Sequence, residues 1–295
     1  GYGQSADLLE RLEIINTVFT DNWSGGIRLH STNNLVINGC DISNPTRTTL
    51  NQPLGIVLAN ERHNALIEKN WIHDLTQNAT TTTPNLFGII INGNANVGQP
   101  TRLVNNLISD FDSRGFQYGI YIYAVADNLE IEHNTIDLSS AVSVTSTAGT
   151  TNGIFCLSSQ TGIEIQNNNI SVTRNSAGNK LVLSLTSANI ACDFNNIYVN
   201  GPLGTNNYIG NAFATLAAWQ GYLSGAFDQN STSQNPNYAN PAGGDFTPTN
   251  GAINNTGANV GVVDDINTTA RTIATPDVGA FEWICNPISG IYTID

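Results

Sequence analysis

Asp74 and Asp110 occupy the same place in two successive copies of a short repeat, each two residues after an isoleucine, with Asp112 close by. If the copies stack in register, the two carboxylates lie one above the other on the surface. Like charges that near each other raise one pKa, which is what a general acid requires. The same oxygens suit Ca2+, a cation that takes several oxygen ligands. The plainer reading is a pair of solvated turn residues. A cationic pair is also present: Lys69 lies beside a turn, and Arg102 stands near the equivalent place in the next copy. A lyase acting on uronates needs a base for the proton α to the carboxylate and a cation to neutralise that carboxylate. Lys69 and Arg102 are the candidates for those roles, although no cluster of acidic metal ligands accompanies them at matching positions. His30, His63, His73 and His133 share no common position in the repeat and read as surface turn residues.

The third group is aromatic. In the run Gly119-Ile120-Tyr121-Ile122-Tyr123, inward-facing Ile120 and Ile122 send Tyr121 and Tyr123 outward, because strand side chains alternate. The same rule sends out Arg28, Val57, Ile90, Phe155 and Val182 in one column, and Leu157 and Ser184 in a second. Tyr121, Tyr123, Phe155 and Leu157 then form an exposed apolar patch, which proteins usually cover or use. Loops around Thr83 and Thr145 are candidates to cover it. Left open, it is a ligand-binding platform for a sugar face or a partner protein.

The elements that must carry these groups repeat seven times. An apolar residue, an Asn-rich turn and a second apolar residue five positions on recur as Ile14/Phe19, Ile37/Ile42, Ile67/Ile72, Leu103/Ile108, Ile131/Ile136, Ile165/Ile170 and Cys192/Ile197. A fixed local pattern at a loose period predicts stacked coils whose length differences are absorbed in loops. Within each copy the apolar period is two, as in Leu129-Glu130-Ile131, which is strand spacing. Two residues before the second apolar position stand Asn70, Asn106, Asn134, Asn168 and Asn195, with Thr17 and Cys40 there in the first two copies. Buried and stacked at about 4.8 Å, these amides can bond to one another, since each has donors and acceptors. A second strand begins with Gly at Gly26, Gly55, Gly88, Gly119 and Gly153, where Gly supplies a positive φ or room for a stacked backbone.

Together these features resemble the right-handed parallel β-helix family over roughly residues 11–200. The resemblance implies an all-β fold, and it brings several activities: pectate and alginate lyases, chondroitinases, tailspike glycosidases and non-enzymatic adhesins share it, so fold alone does not choose. From Pro202 the repeat fades. Asp265, Arg271 and the run Asp277-Val278-Gly279-Ala280-Phe281-Glu282 resemble the closing segment of large surface proteins of Bacteroidetes, which implies that Asp265, Arg271, Asp277 and Glu282 form a structural charge network in a C-terminal cap rather than a catalytic cluster. Ser289-Gly290-Ile291-Tyr292-Thr293-Ile294 resembles the start of a further module in such proteins. The expected organisation is coils over 1–201, a capping region of the same solenoid over 202–283, and a linker or start of a following module over 284–295.

Composition narrows the function. Among 295 residues the net charge is −13, with ten Lys and Arg in all. Scattered basic residues argue against nucleic acid as a partner, and no apolar run reaches membrane-spanning length. Cys40, Cys156 and Cys192 fall at inward positions and read as buried free thiols; Cys285 is left over. The leading expectation is a non-enzymatic structural or adhesive module of a large secreted or cell-surface protein, with carbohydrate as a ligand, adjacent modules or a surface protein as partners, and no cofactor unless Ca2+. The alternative is a polysaccharide lyase or glycoside hydrolase.

Overall fold

The computed structural model describes residues 8–47, 52–76, 81–123, 126–140, 149–157, 160–185, 190–209 and 213–284. The chain winds as a parallel β-solenoid whose coils each contribute one strand to each of three sheets, with eight, seven and seven strands among the described residues. The first sheet includes Ile27–Asn33, Leu54–His63, Leu86–Asn92, Gln117–Ile122, Thr151–Cys156 and Lys180–Ser184. The second and third sheets carry the two halves of each apolar pair. Ile14, Ile37, Ile67, Leu103, Ile131, Ile165 and Cys192 align across the second. Phe19, Ile42, Ile72, Ile108, Ile136, Ile170 and Ile197 align across the third.

The bends follow from backbone conformation. Between the second and third sheets every coil places one residue in the left-handed region: Asn16, Gly39, Lys69, Asn105, His133, Asn167 and Phe194. The next residue inward is the ladder position. Asn70 Nδ2 donates to Asn106 Oδ1 (2.9 Å), Asn106 to Asn134 (2.9 Å), Asn134 to Asn168 (3.0 Å) and Asn168 to Asn195 (3.0 Å), all buried. The expected ladder therefore forms. Cys40, Cys156 and Cys192 are buried free thiols; Cys285 lies outside the described residues.

Glycine in the first sheet provides room. A Cβ on Gly119 would sit 2.5 Å from Ile136 Cγ2 and 2.6 Å from the Gly153 carbonyl, and Gly55, Gly88 and Gly153 meet the same kind of obstruction. Gly119→Ala is expected to cost about 1–3 kcal/mol through overpacking, read from the denaturant midpoint. A change too small to resolve would show that the coils can part to admit a methyl group.

The glycine also breaks the strand alternation, because it and the following isoleucine both face the core. In the coil without this glycine, Val182 takes its place: Leu183 aligns with Ile154, and Ser184 with Phe155. Val182 is thus fully buried rather than outward, and Ser184 stands one column from its expected position.

After Pro202 the chain does two things. Residues 213–234 close the end of the solenoid. Thr215 caps the short helix Leu216–Gln220, and Trp219 and Phe227 join the main core. Asp228 ends the ladder by accepting from Asn195 Nδ2 (3.3 Å), Ser231 Oγ (2.5 Å) and Trp219 Nε1 (2.7 Å). The remaining segment then runs back as a strap over the flank of the third sheet. Phe246, Ala280 and Phe281 pack with Leu107, Trp71, Tyr238, Ile266 and Trp283 in a second core.

The strap grips the left-handed turn residues of four coils. Asn167 Nδ2 donates to the Ala258 carbonyl (2.7 Å), His133 Nδ1 meets the Asp277 carbonyl (3.1 Å), Asn105 Nδ2 donates to the Asp264 carbonyl (2.9 Å), and Lys69 Nζ donates to Asp264 (2.9 Å). The charge network of Asp265, Arg271, Asp277 and Glu282 forms as expected, but along the flank rather than over the open end. The run from Ser289 lies outside the described residues.

Candidate functional site

The outer face of the first sheet gathers six aromatic side chains. Phe87 stacks on Tyr118 (4.9 Å between centroids, 7° between planes), and Tyr121 stacks on Phe155 (5.1 Å, 5°). The two stacks meet edge to face: Tyr118–Tyr121 at 4.8 Å and 74°, Phe87–Tyr121 at 5.4 Å and 81°, Tyr118–Phe155 at 5.5 Å and 70°. Phe116 and Tyr123 extend the stacks at the rim. Centroid separations near 5 Å mean offset rather than full overlap, and Phe87, Tyr118, Tyr121 and Phe155 are each partly exposed. Phe116, Tyr123 and Leu157 are 42%, 42% and 40% exposed. Burial raises the Tyr118 phenol to about 12 and also raises that of Tyr121, so both rings are neutral.

The structure places Tyr121, Tyr123, Phe155 and Leu157 together on the outer face. Phe87, Phe116 and Tyr118 are additions that strict alternation does not find. With Ile120 inward, period two assigns Tyr118 to the core, and the phase break at Gly119 turns it out. The sequence signal available was an aromatic residue directly before glycine in two successive coils. Thr83 lies against Gly115, the residue before the rim ring Phe116, its carbonyl 2.6 Å from where a Gly115 Cβ would stand; Thr145 lies outside the described residues.

Asp74 and Asp110 do stack, and their spacing has a backbone cause. Both sit at positive φ at the end of a third-sheet strand, as does Asp21, and Asp is among the few side chains that tolerate that region. Burial and the Asp74 charge raise the Asp110 carboxyl, against a bond from Ser109 Oγ (2.8 Å). His73 bridges Asp74 (2.8 Å) and Asp41 (3.1 Å) and lies on the Trp71 ring (3.8 Å). Burial lowers its pKa, but the two carboxylates outweigh this, and the net shift is upward. Asp112 stands apart, accepting from Ser140 Oγ (3.0 Å). Among the described residues no group of three or more His, Cys, Asp or Glu is placed to hold a metal ion.

Lys69 and Arg102 are each engaged elsewhere. Lys69 pairs with Asp264, while Arg102 pairs with Glu130 (2.7 Å) and Glu132 (2.5 Å). A cation so engaged is not free to neutralise a uronate. His133 is fully buried beneath the strap, and its pKa is pushed well down by burial and by Arg271. His73 is largely covered as well. Neither is the surface turn residue its sequence context implies: the strap covers His133, and Trp71, Asp41 and Asp74 surround His73.

Two buried carboxyls, Asp137 and Asp277, are raised to about 6 by burial and set the pH dependence in the same direction; Asp137 is the one whose surroundings are simplest to test. It is buried under Tyr238, accepts from Ser139 and Ser171, and faces Asp110; burial raises it to about 6. Between about pH 4 and 6 the folded chain holds a proton that the unfolded chain has lost. Stability therefore falls as pH rises through this window, by on the order of 2–3 kcal/mol. His73 acts in the same direction, because its raised pKa gives stability that is lost as pH rises above it. Denaturant midpoints are expected to be higher at pH 4.5 than at pH 7.5, with the difference reduced in Asp137→Asn. A midpoint that rises with pH in both proteins would refute this.

Three stacked parallel sheets, an internal Asn ladder and an outer aromatic face define a β-helix protein. The family described as right-handed beta helix region matches residues 3–212, and the chain belongs to it. No curated protein and no solved structure matches the chain. No helix among the described residues is long and apolar enough to cross a membrane.

Proposed function

We propose that this chain is a non-enzymatic, adhesive β-helix module of a secreted or cell-surface protein, and that the ring cluster on its first sheet is the contact surface for carbohydrate. The observation that carries the reading is the gathering of Phe87, Phe116, Tyr118, Tyr121, Tyr123 and Phe155 on one outer face, with rim rings more than a third exposed. Offset rings offer partial faces to the C–H surface of a sugar, and rigid aromatic side chains lose little entropy on binding. The ion pairs that hold Lys69 and Arg102 favour this reading over a lyase.

Tyr121→Ala is expected to weaken retention on immobilised polysaccharide about tenfold or more in a protein that still folds, with a lowered thermal midpoint because the ring also packs on Phe87, Tyr118 and Phe155. Retention equal to that of the parent protein would sink the ring cluster as the contact surface. The hydrolase alternative keeps one supporting observation, the coupled Asp74, Asp110 and Asp137 with raised Asp110 and Asp137 carboxyls. Appearance of new reducing ends, lost in Asp110→Asn, would move the assignment to that alternative.

A further inference from the structure

We infer that the glycan held by the ring cluster is an uncharged polymer lying along the solenoid axis, with Asn152 as its polar anchor. The inference rests on the carbohydrate-binding reading above and names its ligand class.

Direction comes from the register. Phe87 aligns with Tyr118 in the next coil, and Tyr121 with Phe155 in the one after. The apolar strip therefore crosses the strands and runs along the axis, with ring positions about 4.8 Å apart, on the scale of one pyranose unit. An extended polysaccharide can follow such a strip with successive sugars on successive coils.

The absence of charge on the ligand comes from the surface. The strands Leu86–Asn92, Gln117–Ile122 and Thr151–Cys156 contain no charged residue. Two cations of the neighbouring coils, Arg174 and Lys180, are engaged inside the protein. Arg174 donates to the Gly115 carbonyl (3.2 Å) and Thr151 Oγ1 (3.0 Å), and Lys180 donates to the Ser176 (2.7 Å) and Gly178 (3.0 Å) carbonyls. Both are fully buried. A polyuronate or sulfated chain would meet no charged side chain on these three strands, Arg28 of the same outward column standing three coils from Tyr121, and would be repelled by a protein of net charge −13.

Asn152 supplies an independent indication. It occupies the Tyr118 position in the next coil, in register with that ring. It is 2% exposed, and its Oδ1 has no hydrogen-bond partner. A buried acceptor left unmade is costly to a protein. A sugar hydroxyl at the end of the Phe87–Tyr118 stack would supply the missing donor.

The test is titration calorimetry of the whole protein with two neutral polymers, arabinoxylan and mixed-linkage β-glucan, and two polyuronates, polygalacturonate and alginate, at low and high salt. A neutral polymer is expected to bind with little salt dependence, and the polyuronates not to bind. Tyr121→Ala and Asn152→Leu should each weaken binding about tenfold. Asn152→Leu should leave the thermal midpoint unchanged or raised, since it removes an unsatisfied acceptor; a purely structural Asn152 would instead leave affinity unmoved. Preference for a polyuronate, or affinity that falls steeply with salt, would overturn the uncharged class while leaving the ring cluster in place if Tyr121→Ala still abolishes binding. Unchanged affinity in Asn152→Leu would overturn the anchor. No binding to any of the four polymers would overturn the inference and count against the carbohydrate reading beneath it.

Discussion

Arg271→Ala is expected to destabilise the protein by about 3–5 kcal/mol, the range for removing one partner of a buried charge network. The guanidinium is 1% exposed and uses all five of its donors. Nε reaches the Asp264 carbonyl (3.2 Å). Nη1 reaches the Asp277 carbonyl (3.1 Å) and Glu282 (3.3 Å), and Nη2 reaches Asn105 Oδ1 (2.6 Å) and the Gly279 carbonyl (2.8 Å). Truncation leaves Glu282 and Asp277 buried without their cation and cuts the strap from the coil that carries Asn105. Arg271→Lys should recover little, because an ammonium cannot reproduce the planar fork. The loss should be local before it is global. Amides such as Gly279 N–H, which donates to the Asn167 carbonyl (2.7 Å), should exchange quickly while those of the coils stay protected. A loss below about 1 kcal/mol would show that apolar packing around Phe246 and Phe281 holds the strap without Arg271.

Asn134→Ala should be nearly as costly, for a different reason. Asn134 stands mid-ladder with both neighbours bonded. Its Nδ2 serves Asn168 Oδ1 and the Leu103 carbonyl (2.8 Å), and its Oδ1 accepts from Asn106 Nδ2 and from the Asn106 backbone N–H (3.0 Å). Alanine leaves the Asn106 backbone N–H without its side-chain acceptor and takes a donor from the Leu103 and Glu132 carbonyls, while Asn168 Oδ1 keeps the Asn134 backbone N–H; each group left unmade where water cannot reach costs about 1–3 kcal/mol. The cavity adds to this, since the position is fully buried. Equilibrium denaturation of Asn134→Ala beside Asn195→Ala separates the effects, because Asn195 has Asp228 and Ser231 beyond it. Equal and small losses at both positions would mean that the ladder follows the fold without stabilising it.

The ladder and the apolar pairs could be read from sequence because they are local. Each coil repeats an apolar residue, a turn, a ladder position and a second apolar residue within six residues whatever the length of its loops, so stacking can be inferred by comparing one copy with the next. The strap could not be read this way. Its partners, such as Lys69 and Asp264, stand 195 residues apart, and nothing periodic links them. That is why Lys69 and His133 look like surface residues in sequence and lie under the strap in the fold. Half of the ring cluster was also legible. Tyr121, Tyr123 and Phe155 follow from alternation, whereas Phe87 and Tyr118 depend on the phase break at glycine, which period-two reasoning passes over.

The strap also bears on how the chain reaches this structure. Coils can form one upon another, each closing a loop of a few tens of residues, and such closures are fast. The strap must wait until the coils holding Lys69, Asn105, His133 and Asn167 are all in place, because each supplies one of its attachments. It is then the last element to dock and, by the same reasoning, the first to leave. Contacts formed after the folding barrier slow unfolding without hastening folding. The strap thus lengthens the lifetime of the folded solenoid more than it speeds its assembly.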